Sequence, residues 1–418
     1  MGKNARDTRP YIRPVHRIEL SEQNVKARWI AIALCLTIAI MAFGYGFYSA
    51  LSTEPGWQKI QPTVGKINCS NDFVLMYDIG AGDADPTAQY KHLVNLYGEL
   101  TVSAYHLFSP DAVGDDNLYH VNAHVNEVVT VAPGLYNALK QIAASESRHP
   151  YMGPVQSLYN SVFFASDDVI AALYDPRKDP ELADLAREMA AYCSDPAMIW
   201  LEDLGNNQIR LNVADAYLAF AREQEVSNFL DLGWMTNGFI IDYMAEALRS
   251  AGHCYGYLAS YDGFTRNLDV REKSYSVNLF HRVGNDIWMP ARMNYPAPMS
   301  LVTLRDYPLT DQDKLHYYSY ADGSITSAYL DPMDGMSKST VDSLMGYSED
   351  MGCAAIALAL APVYTADAFT SAELSALAEK GIQTLWYDNQ ILYHTQEDAS
   401  LELLPESGGE GYQLQLAR

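Results

Sequence analysis

The sequence predicts a mixed α/β (α+β) fold, built as one body behind a single N-terminal transmembrane helix. Two features predict it. From about residue 73 onwards, segments with apolar residues at helical spacing are interspersed with segments in which apolar and polar residues alternate, without an internal repeat. Ahead of them lies a stretch, 29–50, that contains no charged residue. With 418 residues, 49% of them hydrophobic, the chain can form a large core.

Residues 1–71 divide into three parts. Residues 1–28 form a basic tail, and 29–50 are apolar, with tryptophan and tyrosine near the ends, over the length that crosses a bilayer as a helix. Basic residues ahead of such a helix predict an N-terminus inside the cell and a body outside the cytoplasm, on a single-pass membrane protein. A cleaved signal peptide is the alternative, because Ala50-Leu51-Ser52 suits a peptidase, but the apolar run is longer than a usual signal core. Residues 51–71 are predicted to be a linker.

The charge of the chain limits its partners. The net charge is −24 at pH 7, although the first 50 residues contain more lysine and arginine than aspartate and glutamate, so the body is strongly acidic. An acidic body argues against nucleic-acid binding. The five cysteines are scattered without a close pair, which argues against a zinc site and leaves disulfide pairing open.

The body, 72–396, is predicted to begin with a strand at 73–80. The Gly/Asp-rich loop 81–86 is predicted to be a plain turn, because it lacks the ligand spacing of a calcium loop. Further extended segments are predicted at 119–131, 199–211 (a hairpin), 254–258, 274–281, 325–330, 384–387 and 390–394. Helices are predicted at 89–107, 133–144, 182–192, 214–222, 239–248, 351–360 and 371–380. Residues 397–418 are predicted to be a mobile tail.

The most informative stretch is 229–248. It opens with an apolar segment that ends in Asp231-Leu232-Gly233, turns through Thr236-Asn237-Gly238 and continues as an amphipathic helix. A strand, a glycine corner and a helix N-terminus in succession bring backbone N–H groups and the positive end of a helix dipole to one point, which is a potential anion site. Many α/β proteins also turn in this way for packing alone.

Other catalytic arrangements have little support. His120 and His124 lie four residues apart, but the residues around them alternate as in a strand, which argues against a shared metal ion. A Gly-x-Ser-x-Gly motif, typical of many hydrolases, is absent from the sequence. His281 and His316 are interpreted as residues at strand edges rather than as catalytic groups.

The spacing of Asp231, Gly233, Gly238 and Asp242 resembles the central motif of the ApbE family of flavin transferases. Other segments match the order of that family's motifs, and together they cover about 73–394. They are Ser103-Ala104-Tyr105, Asn122 ahead of the strand and helix start at 128–133, Gly153-Pro154-Val155 with Tyr159, and Leu330-Asp331-Pro332-Met333-Asp334-Gly335. Each match alone is weak, but their common register identifies the chain as a divergent member of the family.

Members of this family cleave FAD and attach FMN to a threonine or serine of a partner protein. The resemblance therefore implies FAD as cofactor, a redox protein as acceptor, and a magnesium ion that neutralises charge on the transferred phosphoryl group. It also implies a catalytic role for Asp231. The flavin site implied by the resemblance consists of Tyr105, Asp231, Gly233, Thr236, Asn237, Gly238 and Tyr261.

The sequence departs from the family where magnesium should bind. The family's Asp and Thr ligands correspond to Ala354 and Leu358, and neither side chain binds a cation. The backbone carbonyl just after Asp-Leu-Gly, here that of Trp234, is a remaining family ligand. Glu349 and Asp350, about one helical turn earlier, are an alternative source of oxygen ligands. No side-chain metal ligand is therefore predicted, and a role for magnesium stays open.

Other departures also fall at positions of the reaction rather than of the fold. Asn237 replaces a charged residue, Ala328 replaces a histidine, Tyr151-Met152 replaces a Phe-Asp pair, and Tyr261-Asp262-Gly263 replaces a Gly-Gly-Asp turn. Two hypotheses follow. The protein is a membrane-anchored flavin transferase with a rearranged metal site, or it is a catalytically inactive flavin-binding or scaffold module of an exported redox complex.

Overall fold

The computed structural model describes residues 26, 29–30, 33–42, 53–65, 67–368 and 370–417, with residue 314 described for its backbone alone. The chain divides into two compact units, Met1–Thr53 and Glu54–Arg418. In the first unit, residues 33–42 are helical. Within the described residues, no helix is long and apolar enough to cross a bilayer. Residues 31–32 and 43–50, and almost all of the basic tail, lie outside the described residues, so the transmembrane helix over 29–50 stays a prediction.

The second unit has the mixed α/β composition that the sequence predicts. Several of its helices begin next to a side chain that accepts a hydrogen bond from a first-turn N–H group, as Asp85, Asp167, Asp179 and Thr370 do. The helices are α1 (Pro86–Phe108), α2 (Leu118–Ala123), α3 (Pro133–Ala143), α4 (Gly153–Phe163), α5 (Asp168–Tyr174), α6 (Pro180–Ser194), α7 (Asp215–Glu223), α8 (Thr236–Ser250), α9 (Cys353–Tyr364) and α10 (Ser371–Glu379).

The strands are short and most pair with an antiparallel neighbour. They are β1 (Gly56–Ile60), β2 (Phe73–Ile79), β3 (Val128–Thr130), β4 (Ile199–Gly205), β5 (Gln208–Val213), β6 (Gly256–Ser260), β7 (Phe264–Asn267), β8 (Ser274–Val283), β9 (Asp286–Pro296), β10 (Ser300–Arg305), β11 (Tyr317–Ser319), β12 (Ile325–Ser327), β13 (Ser343–Ser348), β14 (Gln383–Asp388), β15 (Ile391–His394), β16 (Ser400–Leu403) and β17 (Gln413–Leu416).

In the described part of the chain, nine strands form a central sheet in the order β1-β2-β6-β7-β10-β13-β14-β15-β17. Its neighbours are antiparallel except for β15 and β17, which run parallel. Two three-stranded sheets, β16-β9-β8 and β3-β5-β4, and the ribbon β11-β12 accompany it. The sheet order places β6 and β7, which are joined by the turn 261–263, near its middle.

Both faces of the central sheet are covered. Along β13, Leu344 belongs to the larger core, which also contains residues of α1, α3, α8 and α9. The next residue, Met345, and then Tyr347 belong to a second core, shared with β8 and β9. This alternation follows from the period of two residues in a strand. The helical face is the one that positions the candidate site, because α8 begins beside the β6–β7 turn.

One predicted strand is a helix in the structure. The alternation over 119–131 predicted an extended segment, but Leu118–Ala123 is helical and only Val128–Thr130 forms a strand. Asn117 provides the reason, since its side chain accepts a hydrogen bond from the N–H of His120 at 3.1 Å and thereby caps the helix. A local cap outweighed the period-two pattern.

The segments predicted as linker and tail both contain strands. Within 51–71, Gly56–Ile60 pairs with β2, and within 397–418, β16 pairs with β9 and β17 with β15. The phenol of Tyr412 also lies 2.7 Å from a ring nitrogen of His281. These strands are four or five residues long and pair with partners from other parts of the chain, so their local sequence carries little signal.

Candidate functional site

A cavity of about 250 Å³ lies at the N-terminus of α8. The start of α8, the turn between β6 and β7, the loop 309–316 and the turn ahead of β2 enclose it. Its lining residues are Asp72, Gly233, Thr236, Asn237, Tyr261, Asp262, Gln312, Leu315 and His316. Four of them, Gly233, Thr236, Asn237 and Tyr261, are predicted flavin-site residues, so the structure brings these four together.

A tight turn leads the chain into α8. Gly233 has a φ of +53°, a conformation that glycine adopts more readily than other residues. The Asp231 carboxylate accepts a hydrogen bond from the Gly233 N–H at 2.9 Å, and the Thr236 hydroxyl donates to the Gly233 carbonyl at 2.7 Å. The turn therefore fixes the point at which the positive end of the α8 dipole meets the cavity.

Asp231, the predicted catalytic residue, does not line this cavity. It borders a separate void of about 10 Å³ that also touches Ala328. Its N–H donates to the Pro150 carbonyl at 2.9 Å, and the preceding Leu230 exchanges two hydrogen bonds with the Asn122 side chain, at 2.8 and 2.9 Å. Desolvation raises the pKa of Asp231, and the hydrogen bond from Gly233 opposes this. The geometry gives Asp231 a role in shaping the turn, and its catalytic role stays a prediction.

Two carboxyl groups and an imidazole meet at the cavity. Asn237 donates from its amide to Asp262 Oδ2 at 2.8 Å, whereas Asp262 Oδ1 is buried and has no hydrogen-bond partner among the described residues. Burial raises the pKa of Asp262, and His316 is the strongest opposing influence. Asp72 lies at the exposed mouth. Desolvation and the charge of Asp262 raise the pKa of Asp72, while His316 lowers it. This cluster can therefore hold a proton at a higher pH than an isolated carboxyl group.

Hydrogen bonds to a buried aspartate anchor the loop 309–316. Asp313 is buried and accepts hydrogen bonds from the Arg305 guanidinium at 2.8 Å and from the N–H of Thr310 at 2.8 Å. This anchor holds the rim of the cavity, where Leu315 is 56% exposed. The His316 carbonyl accepts a hydrogen bond from the Ala328 N–H at 2.9 Å. His316 therefore lies next to the position where the resemblance expects a histidine and Ala328 stands.

The β6–β7 turn presents Tyr261 and Asp262 to the cavity. Gly263 has a φ of +111°, and a Cβ atom there would lie 2.3 Å from the Thr303 carbonyl oxygen, so the turn requires glycine. The Tyr261 N–H donates to the Asp72 carbonyl at 3.3 Å. The side chains that replace the family's glycines thus form part of the cavity wall.

Two predicted flavin-site residues lie outside the cavity lining. Gly238 faces β7, where a Cβ atom would lie 2.8 Å from the Phe264 ring and 3.6 Å from the Ala354 nitrogen. Its small size allows α8 to pack closely on the sheet. Tyr105 is on α1 and 37% exposed. Direct contacts of Gly238 and Tyr105 with a flavin stay predictions.

The magnesium positions of the family are filled by apolar side chains. Ala354 and Leu358 are buried, and Asp242 of α8 occupies the N-terminus of α9 by accepting hydrogen bonds from the N–H groups of Cys353 and Ala354 at 3.0 and 2.9 Å. Arg266 donates to the same carboxylate at 2.7 Å. Across the described residues, no group of three or more His, Cys, Asp or Glu side chains is placed to hold a metal ion. The residues at this position therefore do not fit magnesium.

The sequence missed four residues of the cavity, namely Asp72, Gln312, Leu315 and His316. His316 was interpreted as a strand-edge residue, but it ends a single helical turn, Lys314–His316, on the loop over the cavity. Asp262 was recognised only as part of a turn. Local spacing carries no signal for these residues, because the pairing of β2 with β6 places Asp72 and the contact of Asp313 with Arg305 places the loop 309–316.

Among solved structures, the fold resembles flavin transferases. An ApbE protein of Thermotoga maritima has a TM-score of 0.49 and 14% identity, over 83% of this chain and 96% of that chain. The flavin transferase ApbE of Vibrio cholerae has a TM-score of 0.47 and 15% identity, over 82% and 95%. The apo flavinyl transferase ApbE of Pseudomonas stutzeri has a TM-score of 0.47 and 13% identity, over 86% and 99%.

These solved structures bear the name of the family whose motifs the sequence resembles. No family model matches the chain, and no curated protein matches it. With TM-scores below 0.5 and identities of at most 15%, these likenesses carry no activity over to this chain.

Proposed function

We propose that this protein binds FAD in the cavity at the N-terminus of α8. One observation carries the proposal. Gly233, Thr236, Asn237 and Tyr261, which sequence motifs associate with a flavin, line the same cavity, and the Asn237–Asp262 hydrogen bond joins the start of α8 to the turn 261–263 across 25 positions. Asn237, Tyr261 and Gln312 give the cavity wall polar and aromatic side chains of the kind that hold a flavin ring, so the residues present fit the group.

Different parts of the cavity wall would contact different parts of FAD. The positive dipole end of α8 would face the phosphates, while the Thr236 N–H already donates to the Gly233 carbonyl. Asn237 and Asp262 offer a donor and an acceptor for a polar ring edge, and Tyr261 adds an aromatic side chain to the wall. Leu315, on the anchored loop, would cover bound flavin and exclude water.

Binding has better support than the family's transfer reaction. In that reaction magnesium supplies charge neutralisation at the phosphates, which needs hard oxygen ligands. Ala354 and Leu358 supply none, and the N–H groups at the start of α9 are already used by Asp242. We therefore derive no step that depends on magnesium.

Transfer of FMN to a threonine or serine of an acceptor redox protein is the second candidate function. The cluster of Asp72, Asp262 and His316 favours it, because proton-accepting groups at the cavity could take up the hydroxyl proton of an acceptor. Activity of this kind would require metal ligands other than those of the family, supplied by residues of this chain or of the acceptor.

We also propose that residues 29–50 anchor the body outside the cytoplasm. The support is the uncharged run of 22 residues that follows a basic tail. The body should sediment with membranes and be digested by protease added outside the cell. Recovery in the soluble fraction with an N-terminus beyond residue 50 would indicate signal cleavage instead.

Flavin binding can be tested by titrating the full chain with FAD and following flavin fluorescence. Gln312 is exposed on the rim, so Gln312→Trp should obstruct the cavity without disturbing the core and weaken FAD binding at least about tenfold. Glu188→Trp places the same side chain at an exposed position of α6 that does not line the cavity and should leave the affinity unchanged. If the wild-type chain does not bind FAD, or both variants bind it equally, the proposal is wrong.

A further inference from the structure

Helix α5 turns its large apolar side chains towards solvent. Four of its seven residues are large, apolar and between 38% and 73% exposed, namely Val169, Ile170, Leu173 and Tyr174. Ala171, by contrast, is buried. Positions i, i+1, i+4 and i+5 lie on one side of a helix, so the four side chains form one continuous surface, the α5 face. The solvent side of a surface helix is normally polar, so an apolar one indicates a contact surface.

The contacts of α5 with the rest of the molecule leave this face open. The helix packs against α4, and its first residue, Asp168, accepts hydrogen bonds from the Tyr318 hydroxyl at 3.0 Å and from the Ala321 N–H at 2.9 Å. Phe164, directly after α4, is 71% exposed and adds another apolar side chain a few residues ahead of α5. Among the described residues, none covers the α5 face.

Opposite charges lie at the two ends of α5. Asp167 precedes the helix, and its carboxylate caps it by accepting hydrogen bonds from two backbone N–H groups at 3.1 and 3.0 Å. Arg177 lies in the turn after the helix, where it donates to a carbonyl and a threonine hydroxyl of β12. Both residues are exposed, and neither has a partner of opposite charge in the described part of the chain, whereas the adjacent Lys178 pairs with Asp322 at 3.7 Å.

We infer that the α5 face is a dimerisation surface, and that it packs antiparallel against the α5 face of a second copy of this chain across a twofold axis. This arrangement buries the apolar side chains against one another and brings Asp167 of each copy to Arg177 of the other. A twofold interface has to be self-complementary, and the α5 face meets that condition because its opposite charges stand at opposite ends. The inference is independent of the proposed flavin binding.

The charges favour a second copy over a lipid surface. An anionic membrane would repel a chain of net charge −24, and it offers no positive group to Asp167. Two copies also repel each other, but exposed charges are screened beyond ~8 Å at physiological ionic strength, while the two end contacts are direct. A helix of seven residues is only about 10 Å long, so the dimer should be weak, with a dissociation constant in the micromolar range.

The test is the oligomeric state of the full chain in a mild detergent, measured by sedimentation velocity. We expect a change from monomer to dimer between about 1 and 100 µM. Val169→Asp puts a carboxylate into the contact from both copies and should raise the dissociation constant at least about tenfold. The new aspartate lies in the first turn of α5, where it suits the helix dipole, so the variant should fold. Val270→Asp changes a valine that is 66% exposed outside α5 and is the matched control.

A second pair of variants tests the charges. Arg177→Glu replaces attraction to Asp167 of the other copy by repulsion at both ends, so the dissociation constant should rise at least about fivefold. Adding Asp167→Asn removes the repulsion and keeps a side chain that caps the helix, so most of the loss should be recovered. If Arg177 acted only through its hydrogen bonds within its own copy, the change at Asp167 would restore nothing.

Three results would overturn the inference. The first is a wild-type chain that stays monomeric at about 100 µM. The second is a dimer that Val169→Asp weakens no more than Val270→Asp does, because the contact would then lie elsewhere in the chain. The third is a monomer that binds phosphatidylcholine vesicles and loses this binding in Val169→Asp, which would mean that a lipid surface covers the α5 face.

Discussion

The N-termini of α8 and α9 each lie beside a partly buried aspartate, and the two aspartates differ in how many hydrogen bonds they accept. Asp242 accepts hydrogen bonds from two N–H groups of α9 and one from Arg266, so both of its oxygens are used. Asp262 accepts one hydrogen bond, from Asn237 at the start of α8, and its other oxygen has no partner in the described chain. Asp242 caps the N-terminus of α9, whereas Asp262 lines the cavity.

The difference indicates which helix end can take a ligand. A helix N-terminus whose N–H groups are already capped has little left to offer to an anion or to a metal-bound phosphate. In the ApbE family, as the resemblance implies, the α9 end carries the metal ligands. In this chain Asp242 accepts hydrogen bonds from the first N–H groups of α9, and the cavity lies at the α8 end.

The largest effect on stability is expected from Asp242→Ala. The change leaves two helix N–H groups uncapped and removes the partner of the largely buried Arg266, so we expect the folded state to lose about 3–5 kcal/mol in denaturant unfolding. Glu246→Ala removes the other, exposed partner of Arg266 and should cost less than about 1 kcal/mol. Equal losses in the two variants would show that Asp242 is not a structural cap.

A smaller loss is expected from Gly238→Ala. The added methyl group would lie 2.8 Å from the Phe264 ring, so α8 must shift away from the sheet at a cost of about 1–3 kcal/mol. Gly65→Ala, where a Cβ atom meets no atom within 4 Å, is the matched control and should be neutral. Denaturant midpoints of the two variants test this. A Gly238→Ala protein as stable as the control would argue for a ligand-contact role of this glycine instead.

A third aspartate, Asp306, shows what a carboxyl oxygen without a hydrogen-bond partner does to stability when no helix end is involved. Burial and the charge of Asp342 raise the pKa of Asp306 to about 7, and its Oδ1 also lacks a partner among the described residues. Because the folded state keeps this proton to higher pH than the unfolded state, the stability contributed by Asp306 is present below about pH 4 and is lost as the pH rises through about 7.

Asp306→Asn removes this ionisable group. The variant should therefore be more stable than the wild type at pH 8, by about 1–2 kcal/mol, and equal to it near pH 4. Unfolding curves at the two pH values measure the difference. A variant that is less stable at pH 8 would mean that the contact of Asp306 with Arg282, at 3.4 Å, outweighs the cost of burying its charge.

The smallest effect is expected from Tyr105→Ala. Family motifs associate this tyrosine with the flavin, but it is 37% exposed on α1 and does not line the cavity. We expect the FAD affinity to change by less than about threefold, or ~0.6 kcal/mol. A tenfold loss would extend the flavin site from the α8 cavity to α1.

How much could be read from the sequence differs between these regions. The helix after Asp231-Leu232-Gly233 was predictable, because amphipathic spacing acts locally, and the loss of metal ligands at Ala354 and Leu358 was visible in the sequence. The strand predicted ahead of this helix is irregular chain, and the corner predicted at 236–238 is the first turn of α8. The cavity residues Asp72 and His316 were not, because the pairing of β2 with β6 places the first and the Arg305–Asp313 contact holds the loop of the second. The cap at Asn117 was misread, since a single side chain outweighed an alternating pattern.

The claim that the open site lies at α8 and does not need the family's metal is tested most directly by FAD binding with and without magnesium. The full chain is titrated with FAD, once in excess magnesium and once in excess chelator, while release of AMP is followed. We expect the two dissociation constants to agree within about twofold and no AMP to appear. Binding that requires magnesium, or AMP released together with FMN attached to an acceptor, would contradict this account and establish a metal site elsewhere in the protein.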